Sequence, residues 1–184
     1  DESPFTGYTQ GDKTEKAVFR DVFEPGDAWF NSGDLLRNVG WGHYQFVDRL
    51  GDTFRWKGEN VSTTQVENIL GGHPAVADCV VYGVEIPETN GKAGMAAITL
   101  LEGSQVEFDE LYEYAISNLP AYAVPIFIRI TGDLDTTGSF KYKKSDLKKD
   151  AYTVDDCEDP LYVALPKTKE YVELTEKLQL EIDE

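Results

Sequence analysis

The sequence has 184 residues, which is enough for one domain, or for one domain and part of another. Its 41% hydrophobic and 12% aromatic content can form a packed core, so global disorder is excluded. Acidic residues outnumber basic ones by 34 to 17, and the net charge of −17 argues against nucleic acid as a partner. The sole methionine is Met95, so we expect this to be a piece of a longer protein.

The first third of the sequence predicts short strands and turns. Residues 28–36 have the pattern of a buried strand that a turn at Gly33 interrupts. Apolar and polar residues alternate in 44–48 and again in 54–57. The segment Leu50-Gly51-Asp52 between them contains turn formers, so we expect these two strands to form an antiparallel hairpin.

A helix is well specified after this hairpin. Ser62 and Gln65 have the spacing of a capping box, and Val61 can pack on Val66 as a hydrophobic staple. The glycines that begin at Gly71 predict where the helix ends.

The rest of the chain alternates strands with helices. The expected strands are 76–84, 94–101 and 125–130, and the expected helices are 108–119, 144–151 and a last one from Thr168. This order in so short a chain predicts an α+β fold, with short antiparallel sheets flanked by helices, rather than a doubly wound sheet. Cys79 lies in an apolar run and is predicted to be a buried free thiol, which suits a reducing compartment.

Three polar residues are candidates for ligand chemistry, and each has a simpler explanation. Asp34 follows the Gly33 turn, where a carboxylate can meet a ligand, although aspartate is also a common turn former. Arg49 ends a strand and could pair with its neighbour Asp48 on the surface. Lys141 follows a glycine turn, but it lies in a lysine-rich segment and could simply be solvated.

Other kinds of site are not expected. His43 and His73 are too isolated to suggest a metal site. Ser62 is explained as a helix cap, and no histidine is placed to activate it as a nucleophile. The sequence contains no glycine-rich loop that could cradle phosphates, so such a loop would have to lie outside this chain.

Three segments together resemble a known family. Residues 30–34 read Phe-Asn-Ser-Gly-Asp, residues 51–62 read Gly-Asp-Thr-Phe-Arg-Trp-Lys-Gly-Glu-Asn-Val-Ser, and residues 136–141 read Thr-Thr-Gly-Ser-Phe-Lys. They resemble the adenylate-forming acyl-CoA synthetases, and within them the group of fatty acid transport proteins and very long-chain acyl-CoA synthetases. The resemblance implies that residues 1–47 end the large AMP-binding domain and that residues 48–184 form the mobile C-terminal lid.

The resemblance also implies roles for single residues. Asp34 would bind the ribose hydroxyls of ATP or AMP, and Arg49 would contact the same ribose. Asp48 would be the hinge residue of the lid. Lys141 would be the adenylation lysine. Because the residues before it depart from the glycine-lysine pair that is usual in the superfamily, Lys143 is the alternative.

Cofactors and partners follow from the same resemblance. Gly58 and Glu59 would line the channel for the pantetheine arm of CoA, and the full-length enzyme would use ATP, Mg²⁺ and CoA to activate a long or very long-chain fatty acid. The present chain would need a missing N-terminal adenylation domain and would be inactive alone. Its parent would be intracellular and cytosol-facing, with membrane association through the missing region, at endoplasmic reticulum, peroxisome, lipid droplet or plasma membrane. The alternatives are adenylation of a different acid, or a non-catalytic fatty acid binding or transport module.

Overall fold

A computed structural model describes residues 15, 17–50, 52–132, 134, 144–166 and 168–184. The contacts between residues divide the chain into two compact units, Asp1–Gly51 and Asp52–Glu184. Each unit is described by itself. The expected boundary between residues 47 and 48 concerns the domains of a longer enzyme and stays a prediction.

The first unit contains two antiparallel ladders. The strands are β1 (Val18–Arg20), β2 (Ala28–Phe30), β3 (Asp34–Gly40) and β4 (His43–Arg49), with β1 paired to β2 and β3 paired to β4. The strand expected at 28–36 is interrupted at Gly33, as predicted, where φ is +73°, and its two parts belong to β2 and β3. The expected burial of this stretch is wrong, because the residues of β2 and most of those of β3 are exposed. Most side chains of both ladders are exposed, because a two-stranded ribbon has no second layer of its own to bury them.

The turn between β1 and β2 is organised by one carboxylate. Asp27 accepts hydrogen bonds from the backbone N–H groups of Val22 (2.8 Å) and Phe23 (2.9 Å), and from the indole N–H of Trp29 (2.8 Å). Desolvation acts to raise the pKa of Asp27, but these hydrogen bonds outweigh it and lower the pKa to about 2.

The expected hairpin across residues 50–52 is wrong. Strand β4 pairs with β3 through a turn at Trp41 and Gly42, whose φ angles are +56° and +75°. The second predicted strand is β5 (Phe54–Trp56), and it pairs with β6 (Glu59–Val61). The reason is that both two-residue turns end on a glycine, which adopts the positive φ that such turns require.

The second unit is built on a five-stranded mixed sheet. Its strands are β7 (Val76–Val84), β8 (Ala93–Leu100), β9 (Phe127–Ile130), β10 (Leu161–Ala164) and β11 (Tyr171–Glu173), in the spatial order β11-β10-β9-β8-β7. Only β8 and β9 run parallel within this sheet. The helices are α1 (Thr63–Leu70), α2 (Phe108–Asn118), α3 (Lys144–Asp150) and α4 (Glu176–Asp183), with a short 3-10 helix at Val154–Asp156. The α+β fold class is therefore confirmed.

Local signals account for the start of helix α1, but not for the end of the chain. Ser62 Oγ accepts a hydrogen bond from the backbone N–H of Gln65 at 3.3 Å, as the capping box predicted. The last helix does not begin at Thr168. Tyr171 lies in β11, where its hydroxyl donates to the Pro125 carbonyl at 2.9 Å, and α4 begins only after Thr175. Tertiary pairing has overridden a helical spacing of apolar residues.

The hairpin β5–β6 is attached to the sheet through a slot between two glycines. Gly83 of β7 and Gly94 of β8 lie opposite each other in the ladder. A Cβ atom on Gly83 would lie 2.8 Å from Phe54 Cβ, and one on Gly94 would lie 3.3 Å from Phe54 Cζ. The Phe54 ring therefore packs directly against the backbone of both strands, and it is buried.

Replacing Gly83 by alanine should destabilise the second unit by about 1–3 kcal/mol, because the added methyl group overpacks the slot against Phe54. Urea denaturation of the protein measures this change. Gly132→Ala is the matched control, since a Cβ there has no neighbour within 4 Å. Equal stability of the two variants would contradict the packing of Phe54 described above.

Candidate functional site

The turn before β3 presents a carboxylate beside a guanidinium. The backbone N–H of Gly33 donates to the Asn31 side chain at 2.9 Å, and the Gly33 carbonyl accepts from the N–H of Leu50 at 2.8 Å. Asp34 then lies opposite Arg49 in the β3–β4 ladder. The Arg49 Nε atom is 3.4 Å from Asp34 Oδ1.

This ion pair orients the carboxylate more than it stabilises the fold. The Arg49 side chain is half exposed, at 49%, and an ion pair with such access to solvent contributes about 0–1 kcal/mol. Asp34 Oδ1 itself is inaccessible to solvent and has no hydrogen-bond donor among the described residues. The turn itself is closed by Asn31 and by Ser32, whose Oγ accepts from the Asp34 backbone N–H at 3.3 Å, and the Asp34 side chain as a whole is 28% exposed.

Asp48 lies within the ladder that positions this pair. It is 1% exposed, opposite Leu35, and its Oδ1 accepts from the backbone N–H of Arg49 at 2.8 Å. A change of backbone angles at Asp48 would therefore act on the strand end that carries Arg49. The hinge role of Asp48 stays a prediction.

The predicted CoA residues lie at the tip of the hairpin β5–β6. Lys57 and Gly58 form its two-residue turn, with φ angles of +50° and +86°. The Arg55 Nε–H donates to the Gly58 carbonyl at 3.2 Å, and Lys57 Nζ lies 5.6 Å from the centroid of the Trp56 ring. Glu59 is exposed at the start of β6.

An open cavity of about 480 Å³ lies beside this tip, and its lining includes two cations. The lining residues are Arg55, Lys57, Gly58, Asn90 and Gly91. Gly91 has φ of +102°, and a side chain there would collide with the Arg55 carbonyl, so glycine keeps the loop close to the hairpin. In a chain with a net charge of −17, paired cations at a cavity favour an anionic ligand.

The predicted adenylation lysine, Lys141, and its alternative, Lys143, lie outside the described residues. Lys144, directly after them, is described. Its Nζ lies 2.9 Å from Glu67 Oε1 and 3.1 Å from Thr63 Oγ1. The sequence analysis missed the role of Glu67, although Thr63 and Glu67 have the spacing that places them on one helix face.

The structure thus brings Asp34, Asp48 and Arg49 together in the first unit, and Gly58 and Glu59 together in the second. Within the described ranges, no group of three or more His, Cys, Asp or Glu side chains could hold a metal ion.

Comparisons with known proteins identify the family. Residues 65–141 match the family described as the C-terminal domain of AMP-binding enzymes. The medium/long-chain-fatty-acid–CoA ligase FadD6 of Mycobacterium tuberculosis is 51% identical over 169 residues, which are 92% of this chain and 28% of the ligase. The chain belongs to the adenylate-forming superfamily. The resemblance found in the sequence is confirmed.

Two further relatives agree. Mouse long-chain fatty acid transport protein 6 is 42% identical over 181 residues, which are 98% of this chain and 29% of the relative. The solved structure of o-succinylbenzoate CoA synthetase (MenE) from Bacillus subtilis, in complex with the acyl-adenylate intermediate OSB-AMP, has a TM-score of 0.66 at 29% identity. That similarity covers 78% of this chain and 28% of MenE. The chain thus spans less than a third of each of these relatives.

None of the helices in the described part of this superfamily member is long and apolar enough to cross a bilayer.

Gly58→Ala should destabilise the hairpin tip of this adenylate-forming chain by roughly 1–2 kcal/mol, because an L-residue is strained at its positive φ although its Cβ would meet no neighbour. Lys57→Asn is the matched variant, and it should leave stability unchanged or raised, since Asn-Gly is a preferred pair for such turns. Urea denaturation compares the two. The same loss of stability in both variants would contradict the assigned turn.

Proposed function

We propose that this chain is the C-terminal part of an ATP-dependent fatty acyl-CoA synthetase, which activates long or very long-chain fatty acids. The observation that carries the proposal is the Asp34 carboxylate, whose side chain is 28% exposed and lies beside Arg49 at the end of a ladder in a member of this superfamily. A carboxylate can accept hydrogen bonds from two neighbouring ribose hydroxyls. Arg49 fixes its orientation from the opposite strand.

The proposed reaction has two steps. In the first, an oxygen of the fatty carboxylate attacks the α-phosphorus of ATP, an acyl–oxygen–phosphorus bond forms, and pyrophosphate leaves. In the second, the CoA sulfur attacks the acyl carbon, its proton is released, and AMP leaves. The first step brings negative charges together, so a cation such as Lys141 near the carboxylate and the α-phosphate lowers its barrier. Mg²⁺, when bound, would neutralise phosphate charge.

The cavity at the hairpin tip supports the proposal that CoA binds to the second unit. Arg55 and Lys57 can meet the phosphates of CoA, which are multiply charged anions. Gly58 carries no side chain, so its backbone can approach the thin pantetheine arm closely, and Glu59 would lie on the same channel. In this proposal, Asp48 is the hinge residue that lets one active site serve both steps.

The other readings are not favoured. A non-catalytic binding or transport module does not need Asp34, Arg49 and Lys141 together, and adenylation of an unrelated acid would be decided by an acyl pocket that this chain does not contain. The proposal also includes the location of the parent enzyme: it is intracellular, faces the cytosol and associates with a membrane.

Lys141→Ala in the full-length enzyme should lower ATP–pyrophosphate exchange by roughly 10²–10³-fold, as expected for the loss of one group that stabilises transition-state charge. Formation of the CoA thioester from a preformed acyl adenylate should remain. A panel of acids of different chain length identifies the substrate. The control variant is Lys148→Ala, which changes an exposed lysine of α3.

The 184-residue chain alone should form no thioester in the same assay. If ATP–pyrophosphate exchange is lost in Lys143→Ala and kept in Lys141→Ala, then Lys143 is the adenylation lysine. The proposed activity would be overturned if the wild-type enzyme showed no ATP–pyrophosphate exchange with any acid of the panel.

A further inference from the structure

Helix α3 is too short to be stable by itself, yet it directly follows the segment that contains Lys141. It has seven residues, and isolated helices of fewer than about 12 residues are marginal in water. None of its residues is fully buried. What holds α3 in place is therefore a small number of contacts: the partly buried Leu147 packs against the core, and ion pairs hold the two ends of the helix.

The first end is held by what we call the Glu67 junction, formed by Thr63, Glu67, Val81 and Lys144. Glu67 Oε1 accepts a hydrogen bond from the backbone N–H of Val81 at 2.8 Å and pairs with Lys144 Nζ at 2.9 Å. Lys144 Nζ also donates to Thr63 Oγ1 at 3.1 Å. A single carboxylate oxygen therefore joins helix α1, strand β7 and the first residue of α3.

The junction is shielded from solvent. The Lys144 and Glu67 side chains are only 17% and 21% exposed, and Thr63 is buried. Charge pairs in such places lose more than surface pairs when one partner is removed, because the other charge is left without compensation. The Glu67 junction is therefore expected to be formed in every folded molecule.

The second end of α3 is held by a separate cluster. Arg129 of β9 pairs with Asp150 at 3.0 Å and with Asp159 at 2.7 Å. Burial acts to lower the pKa of Arg129, but its hydrogen bonds to these two carboxylates raise the pKa above its ordinary value, so the guanidinium stays charged. With both ends fixed, α3 has a defined place on the sheet.

The junction is close to Lys141 along the sequence. Lys144 follows Lys141 by three residues, so the anchored start of α3 directly continues the segment that carries the proposed adenylation lysine. Placement matters for a charged group that acts on a transition state, because an error of about 1 Å can cost roughly 10²-fold in rate.

We propose that Lys144 and Glu67 are positioning residues for the adenylation step: their ion pair fixes the start of α3 and thereby limits where Lys141 can lie. This inference rests on the proposed function of Lys141. Lys144 Nζ is paired with Glu67, so in this proposal it acts through Lys141 and not on the reacting atoms.

The test uses the full-length enzyme with Glu67→Gln, Lys144→Met and the double variant. Each single change should lower kcat of ATP–pyrophosphate exchange by roughly 10- to 100-fold, with KM for ATP little changed, because positioning and not binding is lost. The double variant should be no slower than the slower single variant, since both changes break the same pair. Thioester formation from a preformed acyl adenylate should stay within about twofold of wild type.

Two variants provide the controls. Lys144→Arg keeps the charge and a similar reach, and it should restore most of the exchange rate. Lys148→Met removes an exposed lysine from the same helix and should leave both half-reactions unchanged. If Lys144→Met does not fold, as judged by its melting temperature, Glu67→Gln decides, because its amide oxygen can still accept from the Val81 N–H.

The outcomes separate this inference from the proposed function. Normal exchange in both single variants, with exchange abolished in Lys141→Ala, would overturn the positioning role alone. An equal fall of both half-reactions would also overturn it, because the junction would then be only structural. Normal exchange in Lys141→Ala would instead show that the proposed role of that lysine is wrong.

Discussion

The start of helix α3 is held by one oxygen atom of Glu67, which lies 2.8 Å from the Val81 nitrogen and 2.9 Å from Lys144 Nζ. Simpler constraints place the groups that meet at this oxygen. The Ser62 cap fixes where α1 begins, and therefore on which face Glu67 lies. The β7–β8 ladder fixes Val81. These local signals together produce a junction of three elements. Loss of either charged partner would leave the other charge, which is largely shielded from solvent, without compensation.

A second constraint acts without charge and connects the same sheet to the hairpin. The Phe54 ring occupies the slot above Gly83 and Gly94, so β5 cannot slide along the sheet without exposing an aromatic side chain. The hairpin carries Gly58 at its tip and, with Gly91, one wall of the cationic cavity. Packing of one ring therefore determines where a proposed CoA site lies. The same sheet therefore supports both features. The hairpin beside the cavity packs on β7 and β8, and β7 also contributes Val81 to the Glu67 junction.

The sequence predicted those features that depend on neighbouring residues. The Ser62 cap, strands β7 and β8 and the α+β class follow from short-range sequence patterns. Asp34 and Arg49 were identified as two separate candidate residues. The partner of β4 was not predictable, because alternation indicates a strand but not the strand it pairs with. Tyr171 has helical spacing with later apolar residues, but its pairing with Ala164 of β10 places it in β11. Glu67 and Lys144 are distant in the chain, so their pairing required the fold.

Hydrogen–deuterium exchange of the backbone amides of α3 tests most directly whether the Glu67 junction holds this helix. Wild type is compared with Glu67→Gln, and with Glu113→Gln as an exposed control on α2. The account predicts faster exchange across Lys144–Asp150 in Glu67→Gln alone, with β7 and β8 still protected, since a locally released helix opens without global unfolding. Unchanged protection of α3 in Glu67→Gln would contradict it.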